Sequence, residues 1–270
     1  MGAGLVLDLG VRARARRARA TRPTVELRSA FGSDLPISRE VAERLVGDRP
    51  VRVIVDLEHQ LPVGQGFGMS AAGALATALA VGRVLGVSRS HAVSVAHLAD
   101  LFGGGGLGGV ASILGGGMEI RRAPGIPPFG RVQHREFLRP IVLAVTGSPL
   151  PSPALLRDRR FRARVDRVAA AGLTALAGHL STDRFLAEAE RFADRLGLAD
   201  ARLRKEMRAL RSEDIRVSQA MFGRSLFAVA ESPAAHQRLL GKMARRRLPA
   251  IVVSASKSGG RVASRGGKVF

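Results

Sequence analysis

Residues 62–70 read Pro-Val-Gly-Gln-Gly-Phe-Gly-Met-Ser, with glycine at every second position from 64 to 68. Glycines in this pattern let the backbone approach an anion closely and adopt positive φ angles. The run 71–81 that follows is rich in alanine, which favours a helix that begins near Ser70. Amide groups at a helix N-terminus carry about half a positive charge. Together these features predict a phosphate-binding loop, in which the Ser70 hydroxyl could bind a Mg²⁺ ion that bridges phosphates.

This loop differs from the two commonest phosphate-binding motifs. A Walker A loop ends in Gly-Lys-Ser/Thr, and residues 62–70 contain no lysine. The glycine spacing does not fit the dinucleotide-binding fingerprint either. A generic glycine-rich turn is the alternative interpretation. Pro62, Ser70 and the alanine-rich run after them make the phosphate-binding interpretation the more specific one.

The composition bounds the class of protein. The 270 residues suit one or two domains, and 46% are hydrophobic, enough for a sizeable core. The chain has no cysteine, so it has neither a disulfide framework nor a thiolate metal site. The longest apolar stretch lies within 71–82, short of the roughly 20 residues that span a bilayer. We therefore expect a cytoplasmic protein without a membrane partner.

The formal net charge of +21 admits two interpretations. One is attraction to polyanions such as nucleic acid or phosphorylated ligands. The other is an arginine-biased composition, since only four of the 43 basic residues are lysine. The charges alternate with apolar residues, which favours a solvated surface. Few aromatic residues and no recognised nucleic-acid motif also disfavour a specific nucleic-acid partner.

The pattern of apolar residues predicts an α+β protein in two halves, with a boundary near residue 147. Segment 11–20 alternates arginine with small residues and is predicted as a half-exposed strand, although an Ala/Arg run could also be helical. Strands are predicted at 3–9, 11–20, 24–27, 51–57, 118–122, 140–145, 225–230, 249–253 and 261–263. Helices are predicted at 38–46, 71–81, 88–101 and 233–243, with two or three more amphipathic helices within 152–213. Segment 254–260 is predicted as a surface hairpin loop, and a basic polar turn near the phosphates is the alternative.

The glycine loop resembles the second motif of the GHMP kinase superfamily, Pro-x-x-x-Gly-Leu-Gly-Ser-Ser-Ala-Ala. The residues that match it are Pro62, Gly66, Gly68, Ser70, Ala71 and Ala72. A finer resemblance, over most of the chain, is to the archaeal pantoate kinase family. It rests on segments 66–75, 96–100, 106–108, 121–128 and 218–223. The implied fold has an N-terminal α+β domain of the ribosomal protein S5 domain 2-like type over 1–147 and a C-terminal ferredoxin-like domain over 148–270.

The resemblance implies ATP-dependent phosphorylation of pantoate to 4-phosphopantoate, a step of coenzyme A biosynthesis that uses Mg²⁺. The alternatives are a GHMP-type kinase of another small hydroxyl substrate and a degenerate relative that binds nucleotide without transferring phosphate. The implied ATP-binding residues are Pro62, Gly64, Gln65, Gly66, Phe67, Gly68, Met69, Ser70 and Ala71. The implied metal-binding residues are Ser70 and Asp100, where Asp100 replaces the family's glutamate. The implied substrate-binding residues are Gly2, Gly4, Gly106 and Gly108. A homodimer is the default expectation.

Two departures from the family pattern concern catalysis. Gly109 stands where the family has an aspartate, so the sequence identifies no catalytic base. Loss of a general base typically lowers the rate about 10²–10⁴-fold. Phosphoryl transfer, however, depends mostly on positioning and charge stabilisation. Homoserine kinases of the same superfamily resemble this chain in lacking that aspartate. The chain also starts almost at Gly2-Ala3-Gly4. We therefore expect either that the true start lies upstream of Met1 or that the family's first strand, which forms part of the acceptor site, is missing. Arg121 and Arg122 either contact an anionic substrate or lie solvated at the rim of the site.

Overall fold

The computed structural model describes residues 1–30, 35–104, 108–150, 155 and 157–261. The first sheet has the order β2 (Val11–Arg19), β4 (Val51–His59), β3 (Thr24–Ser29), with β2 antiparallel and β3 parallel to β4. Segment 11–20 is therefore a strand, as predicted. Alternation buries Val53 and Val55 on the inner face, while Arg12, Arg14 and Arg16 of β2 lie on the outer face.

Two helices, α1 (Pro36–Val46) and α2 (Met69–Leu85), cover the inner face of this sheet, and α3 (Arg89–Phe102) packs against both of them. The alanine and glycine residues of α2 are small, so this helix lies deep in the core against the sheet and the other two helices. Gly86 ends α2 in the left-handed conformation, and the Ser88 hydroxyl accepts a hydrogen bond from the His91 amide at the start of α3. The start of α3 agrees with the sequence prediction, and α2 runs four residues beyond its predicted end at residue 81.

The second sheet has the order β1 (Gly2–Leu5), β5 (Met118–Ala123), β6 (Arg131–Arg135), and all its pairs are antiparallel. The predicted first strand is shorter than expected, because it ends at Leu5 rather than at residue 9. The sequence analysis did not predict β6. A short helix, α4 (Gly109–Ser112), precedes β5 and packs against α2 and α3.

The third sheet has the order β10 (Ile251–Val253), β7 (Ile141–Val145), β9 (Ser225–Ala230), β8 (Ile215–Gln219), again antiparallel throughout. The sequence predicted β7 as the strand that closes the first half. Instead β7 pairs only with strands of the second half. The predicted boundary near residue 147 therefore falls just after a strand of the second half's own sheet, and the division into two domains stays a proposal.

The second half contains four helices of the described residues: α5 (Arg159–Gly178), α6 (Thr182–Leu196), α7 (Ala201–Leu210) and α8 (Pro233–Arg245). The last three pack on the third sheet, whereas α5 packs on α6, β1 and β5. The first three confirm the helices predicted within 152–213. A second core lies between the sheet and the last two helices, with Leu203, Leu226 and Leu239 fully buried. Within the described ranges, none of the helices is both long and apolar enough to cross a bilayer.

Segment 254–260 was predicted as a surface hairpin loop, and this prediction was wrong. It returns to the first half and hydrogen-bonds along its backbone. The Ser256 amide donates to the Val6 carbonyl at 2.7 Å, and the Gly260 amide donates to the Ile113 carbonyl at 3.0 Å. These bonds tie the two halves of the chain together. Of the predicted strand 261–263, Arg261 is in no strand and the remainder lies outside the described residues.

Candidate active site

A cavity of about 1170 Å³ lies between the glycine loop, β1, α4, α5 and the turn before β9. It is open to solvent, and two chemically different groups of residues line it. One is the backbone of the glycine loop and the start of α2. The other is a pair of charged side chains on β5, Glu119 and Arg121.

The glycine loop has the conformation that its spacing predicts. Gly64, Gly66 and Gly68 have φ angles of 75°, 78° and 72°, a region that side-chain-bearing residues rarely adopt. A Cβ atom on Gly66 would collide with the carbonyl oxygen of Ala220, so this glycine is required by packing. A Cβ atom on Gly68 would meet nothing within 4 Å. Backbone therefore faces open space at the point where α2 begins.

The second half of the chain holds the loop in place from behind. The Gln65 side chain is only 2% exposed, and its Nε2 donates to the Gly147 carbonyl at 2.8 Å. The Ser225 hydroxyl donates to the Gln65 carbonyl. The turn at Gly223 also approaches this carbonyl so closely that a Cβ atom there would collide with it. The loop's shape thus depends on contacts with residues more than 80 positions away.

The start of α2 offers free hydrogen-bond donors to the cavity. Gly68 is the residue before the helix, and it has no side chain to cap the first amides. The hydroxyl of Ser70 donates to Oδ1 of Asp100 on α3, at 3.5 Å. Asp100 is 1% exposed, and its Oδ2 has no partner among the described residues. Burial raises the pKa of Asp100 to about 6, although the Ser70 hydrogen bond opposes the shift.

Gly109, the first residue of α4, packs directly onto these two elements. A Cβ atom at this position would lie 2.5 Å from Cβ of Ala71 and 3.0 Å from Oδ2 of Asp100. The first distance is shorter than real Cβ contacts, and Ala71 cannot move without moving α2. Helix α4 therefore sits in a place that only glycine permits.

The part of the cavity lined by Glu119 and Arg121, called here the acceptor end, is built on the pairing of β1 with β5. Gly2 faces Arg121 and Gly4 faces Glu119 in the antiparallel register. A Cβ atom on Gly2 would collide with the Arg121 guanidinium, and one on Gly4 would lie 2.9 Å from Oε1 of Glu119. A Cβ atom on Gly108 would lie 2.7 Å from Cζ of Arg121. These three glycines thus leave the space that the charged pair occupies.

Glu119 is fully buried and only half satisfied. Its Oε1 accepts a hydrogen bond from Nη1 of Arg121 at 2.6 Å. The Ser112 hydroxyl lies 2.9 Å from the same Oε1 and 2.8 Å from the Gly108 carbonyl oxygen, and it can donate to one of them. Oε2 has no partner in the described part of the chain. Burial raises the pKa of Glu119, against the opposing effects of Arg121, Ser112 and His134.

Comparison with known proteins decides the family. A model of the GHMP kinase N-terminal domain matches residues 35–117. The chain is 26% identical over 235 residues to the pantoate kinase of Methanospirillum hungatei, covering 86% of this chain and 78% of the relative. It is 32% identical over 220 residues to the pantoate kinase of Thermococcus kodakarensis, covering 77% of this chain and 72% of the relative. The chain belongs to the GHMP kinase family.

The structure of this GHMP kinase also agrees with that of a solved relative. A structure described as a phosphotransferase related to the coenzyme A biosynthesis pathway superposes with a TM-score of 0.87 and 26% identity, covering 99% of this chain and 90% of that one. The predicted α+β GHMP kinase fold is therefore confirmed. The protein is a small-molecule kinase, and membership implies ATP as its phosphate donor.

The predicted site residues of the GHMP kinase fall into three groups in the structure. Those that line the cavity are Gly2, Gly4, Gly64, Gly66, Phe67, Gly68, Met69, Ser70, Ala71, Gly108 and Gly109. Pro62, Gln65 and Asp100 are not among the lining residues, and Asp100 reaches the cavity through its contact with Ser70. Gly106 lies outside the described residues.

Sequence reasoning missed Glu119. A single carboxylate in a six-residue strand carries no motif. The available signal was the spacing of Glu119 and Arg121, two residues apart in a strand, against Gly2 and Gly4, also two residues apart. Only the register of β1 on β5 brings the two patterns opposite each other.

Proposed function

We propose that this protein is a pantoate kinase, which transfers the γ-phosphoryl group of ATP to the 4-hydroxyl of pantoate in coenzyme A biosynthesis. The observation that carries the proposal is a single cavity lined both by a phosphate-binding glycine loop and by the part-buried side chain of Arg121. The two pantoate kinases that match most of the chain support the same acceptor.

The glycine loop is assigned to the triphosphate of ATP. Backbone around Gly68 faces open space, and the uncapped amides at the start of α2 point toward the same place. Such amides bind phosphate oxygens well because the helix N-terminus carries partial positive charge. Gln65 contributes by fixing the loop from behind rather than by touching the nucleotide.

Ser70 and Asp100 are assigned to Mg²⁺. The residues fit this ion, because Asp100 is a buried carboxylate with an unpartnered oxygen next to a hydroxyl, and Mg²⁺ prefers oxygen ligands. In the described residues there is no cluster of three or more His, Cys, Asp or Glu side chains that could hold a metal by itself. A Mg²⁺ ion in kinase sites commonly uses one or two protein ligands together with phosphate oxygens and water. Bound there, the ion would neutralise charge on the phosphates.

Arg121 is assigned to the carboxylate of pantoate. Its side chain is 18% exposed, lines the cavity, and has Gly2 and Gly108 packed against it. A guanidinium binds a carboxylate with a fork of parallel hydrogen bonds, which also orients the acid. Binding at this end turns the rest of a short hydroxy acid toward the glycine loop.

Gly109 supports an alternative, a nucleotide-binding relative that does not transfer phosphate. The position offers no carboxylate and no space for one without movement of α2. A GHMP-type kinase acting on another small hydroxyl substrate is the second alternative. A cytoplasmic location and a homodimer stay predictions from the sequence.

The test is ADP release from Mg-ATP in the presence of pantoate, mevalonate or homoserine. We expect turnover with pantoate alone, and a fall in kcat of at least about 10²-fold in Ser70→Ala, since the variant loses a group at the phosphates. Ser94→Ala is the matched control, because its hydroxyl bonds only to the Ser90 carbonyl on α3. Faster turnover with mevalonate or homoserine than with pantoate would show that pantoate is not the acceptor. ATP binding without turnover on any acceptor would establish the nucleotide-binding alternative.

A further inference from the structure

The acceptor end of the cavity holds a carboxylate that the proposed function has not used. Glu119 is 0% exposed and lines the cavity. Its Oε2 is buried and has no hydrogen-bond partner among the described residues. Leaving a buried carboxylate oxygen unpaired costs free energy. A ligand that donates a hydrogen bond to Oε2 would remove this cost.

Other acidic residues that line the cavity do not offer such a group. Asp8 and Asp166 are exposed to solvent. The carboxylate of Glu188 forms a salt bridge with Arg191 on the same helix. Among the described residues, Glu119 is thus the fully buried acid that faces this space.

Glu119 is also linked by contacts to the place where Gly109 lies. Its Oε1 is 2.9 Å from the Ser112 hydroxyl, which is 2.8 Å from the carbonyl oxygen of Gly108, the neighbour of Gly109. Residues 108 and 109 are therefore flanked by two carboxylates with free oxygens, Asp100 on the nucleotide side and Glu119 on the acceptor side.

We propose that Glu119 supplies the carboxylate that Gly109 cannot, and that its Oε2 accepts the hydrogen bond of the acceptor's reacting hydroxyl. The inference rests on the proposed function. Glu119 then has two tasks: Oε1 holds the Arg121 guanidinium in place for the acceptor's carboxylate, while Oε2 orients the hydroxyl and takes its proton.

The transfer step balances with the groups at hand. The hydroxyl oxygen of the acceptor forms a bond to the γ-phosphorus, and the bond between that phosphorus and the β,γ-bridging oxygen breaks. ADP leaves with the electron pair of that bond. The hydroxyl proton passes to Oε2 of Glu119 and then to water when the products leave.

The surroundings of Glu119 suit a proton acceptor. Burial raises the pKa of this carboxyl, and the Arg121 guanidinium, the Ser112 hydroxyl and His134 on β6 oppose the rise. A carboxylate made more basic by burial is a better general base near neutral pH. Gly4 of β1 adds no charge and leaves room for the carboxyl.

The experiment compares Glu119→Gln with the wild type in steady-state assays with Mg-ATP and pantoate. Glutamine keeps the size of the side chain and an acceptor for Arg121, but it cannot take a proton. We expect kcat to fall about 10²-fold or more, with ATP affinity unchanged in a fluorescent-nucleotide binding assay. Glu206→Gln is the matched control, since Glu206 is a half-buried acid paired with Arg246 away from the cavity.

The outcomes separate the inference from the proposed function. A wild type without turnover on pantoate overturns the proposed function and the inference with it. A Glu119→Gln variant that raises the KM for pantoate but keeps kcat overturns the inference alone, because Glu119 then only positions Arg121.

Glu119→Asp is measured alongside and decides the matter if Glu119→Gln does not fold. Aspartate retains the charge but withdraws the carboxylate by one carbon. A kcat between those of wild type and Glu119→Gln, or a lowered kcat with unchanged ATP affinity if only the aspartate variant folds, supports the inference. A kcat equal to that of the wild type overturns it.

Discussion

Asp100 illustrates how a single residue of the site is held at a cost to stability. It is buried between α2 and α4, with the Ser70 hydroxyl on one oxygen and no partner among the described residues on the other. The charged form is therefore poorly solvated, and the pKa rises from 3.8 to about 6. A bound cation would stabilise the charged form of this carboxylate, whereas without a cation the buried charge lowers the stability of the fold.

The sign of the resulting pH dependence follows from linkage. A carboxyl whose pKa is raised by folding costs the folded state nothing below its unfolded pKa of about 3.8. Between pH 3.8 and about 6 the unfolded chain loses this proton before the folded protein does, so stability falls as the pH rises, and the full cost is reached above about 6. In the absence of divalent cations, removal of this charge should stabilise the protein at neutral pH.

We therefore predict that Asp100→Asn in EDTA is more stable to urea than the wild type at pH 7.5, with a free energy of unfolding higher by about 3 kcal/mol, given the rise of the pKa from 3.8 to about 6 and about 1.4 kcal/mol per pKa unit. The difference should shrink toward zero near pH 4. Asp48→Asn, at an exposed position, controls for the change in net charge. No gain at pH 7.5, or the same gain at both pH values, would contradict the assigned cause of the pKa shift.

At the scale of elements, local signals predicted most of the helices and strands. The glycine loop, α2 and the Ser88 cap of α3 depend on residues within a few positions of one another, so their pattern is visible in the sequence. Strand β6 was missed because Arg131–Arg135 contains only one apolar residue, so it shows no alternating pattern. It is a strand because it pairs with β5. Strand β8 was missed because its apolar alternation covers only five residues after a long helical region.

The pairing of β1 with β5 is the element-level feature that a sequence pattern could not supply. More than 110 residues separate Gly2 from Arg121, and the register alone decides which side chains share a face. In the observed register, Ala3 and Leu5 face the core with Ile120 and Met118, while Gly2 and Gly4 face the charged pair. A shift by one residue would place alanine and leucine against the charges.

This register predicts the effect of Gly2→Ala. The new methyl group would collide with the Arg121 guanidinium, a flexible group that can move at little cost in stability. We expect the KM for pantoate to rise about tenfold, a loss of about 1.4 kcal/mol, with the KM for ATP unchanged. Gly241→Ala on α8, whose new Cβ would make only an ordinary contact with Arg245, is the control. A higher KM for ATP, or an unchanged KM for pantoate, would argue against Arg121 as the carboxylate-binding residue.

At the scale of the whole molecule, the nucleotide end is built from both halves of the chain. The sequence indicated that residues 62–70 bind phosphate, but it could not show what fixes their conformation. The structure shows that Gly147, Ser225 and the turn at Gly223 hold the loop through the backbone and side chain of Gln65. Long-range contacts of this kind leave no local pattern, so they become visible only in the folded chain.

The same contacts predict that a residue of the second half controls ATP affinity without touching the nucleotide. Ser225 is fully buried, and its hydroxyl donates to the carbonyl of Gln65, between two glycines with positive φ. Ser225→Ala leaves this carbonyl without that donor, a loss of about 1–3 kcal/mol, and frees the loop to adopt other conformations. Affinity for ATP should therefore fall about tenfold, as measured by titration with a fluorescent nucleotide, while pantoate affinity stays the same. Thr146→Val removes a comparable hydrogen bond, from Thr146 to the Arg224 carbonyl, and should leave ATP affinity unchanged. Equal losses in both variants would mean that general destabilisation of the second half, rather than support of the glycine loop, weakens nucleotide binding.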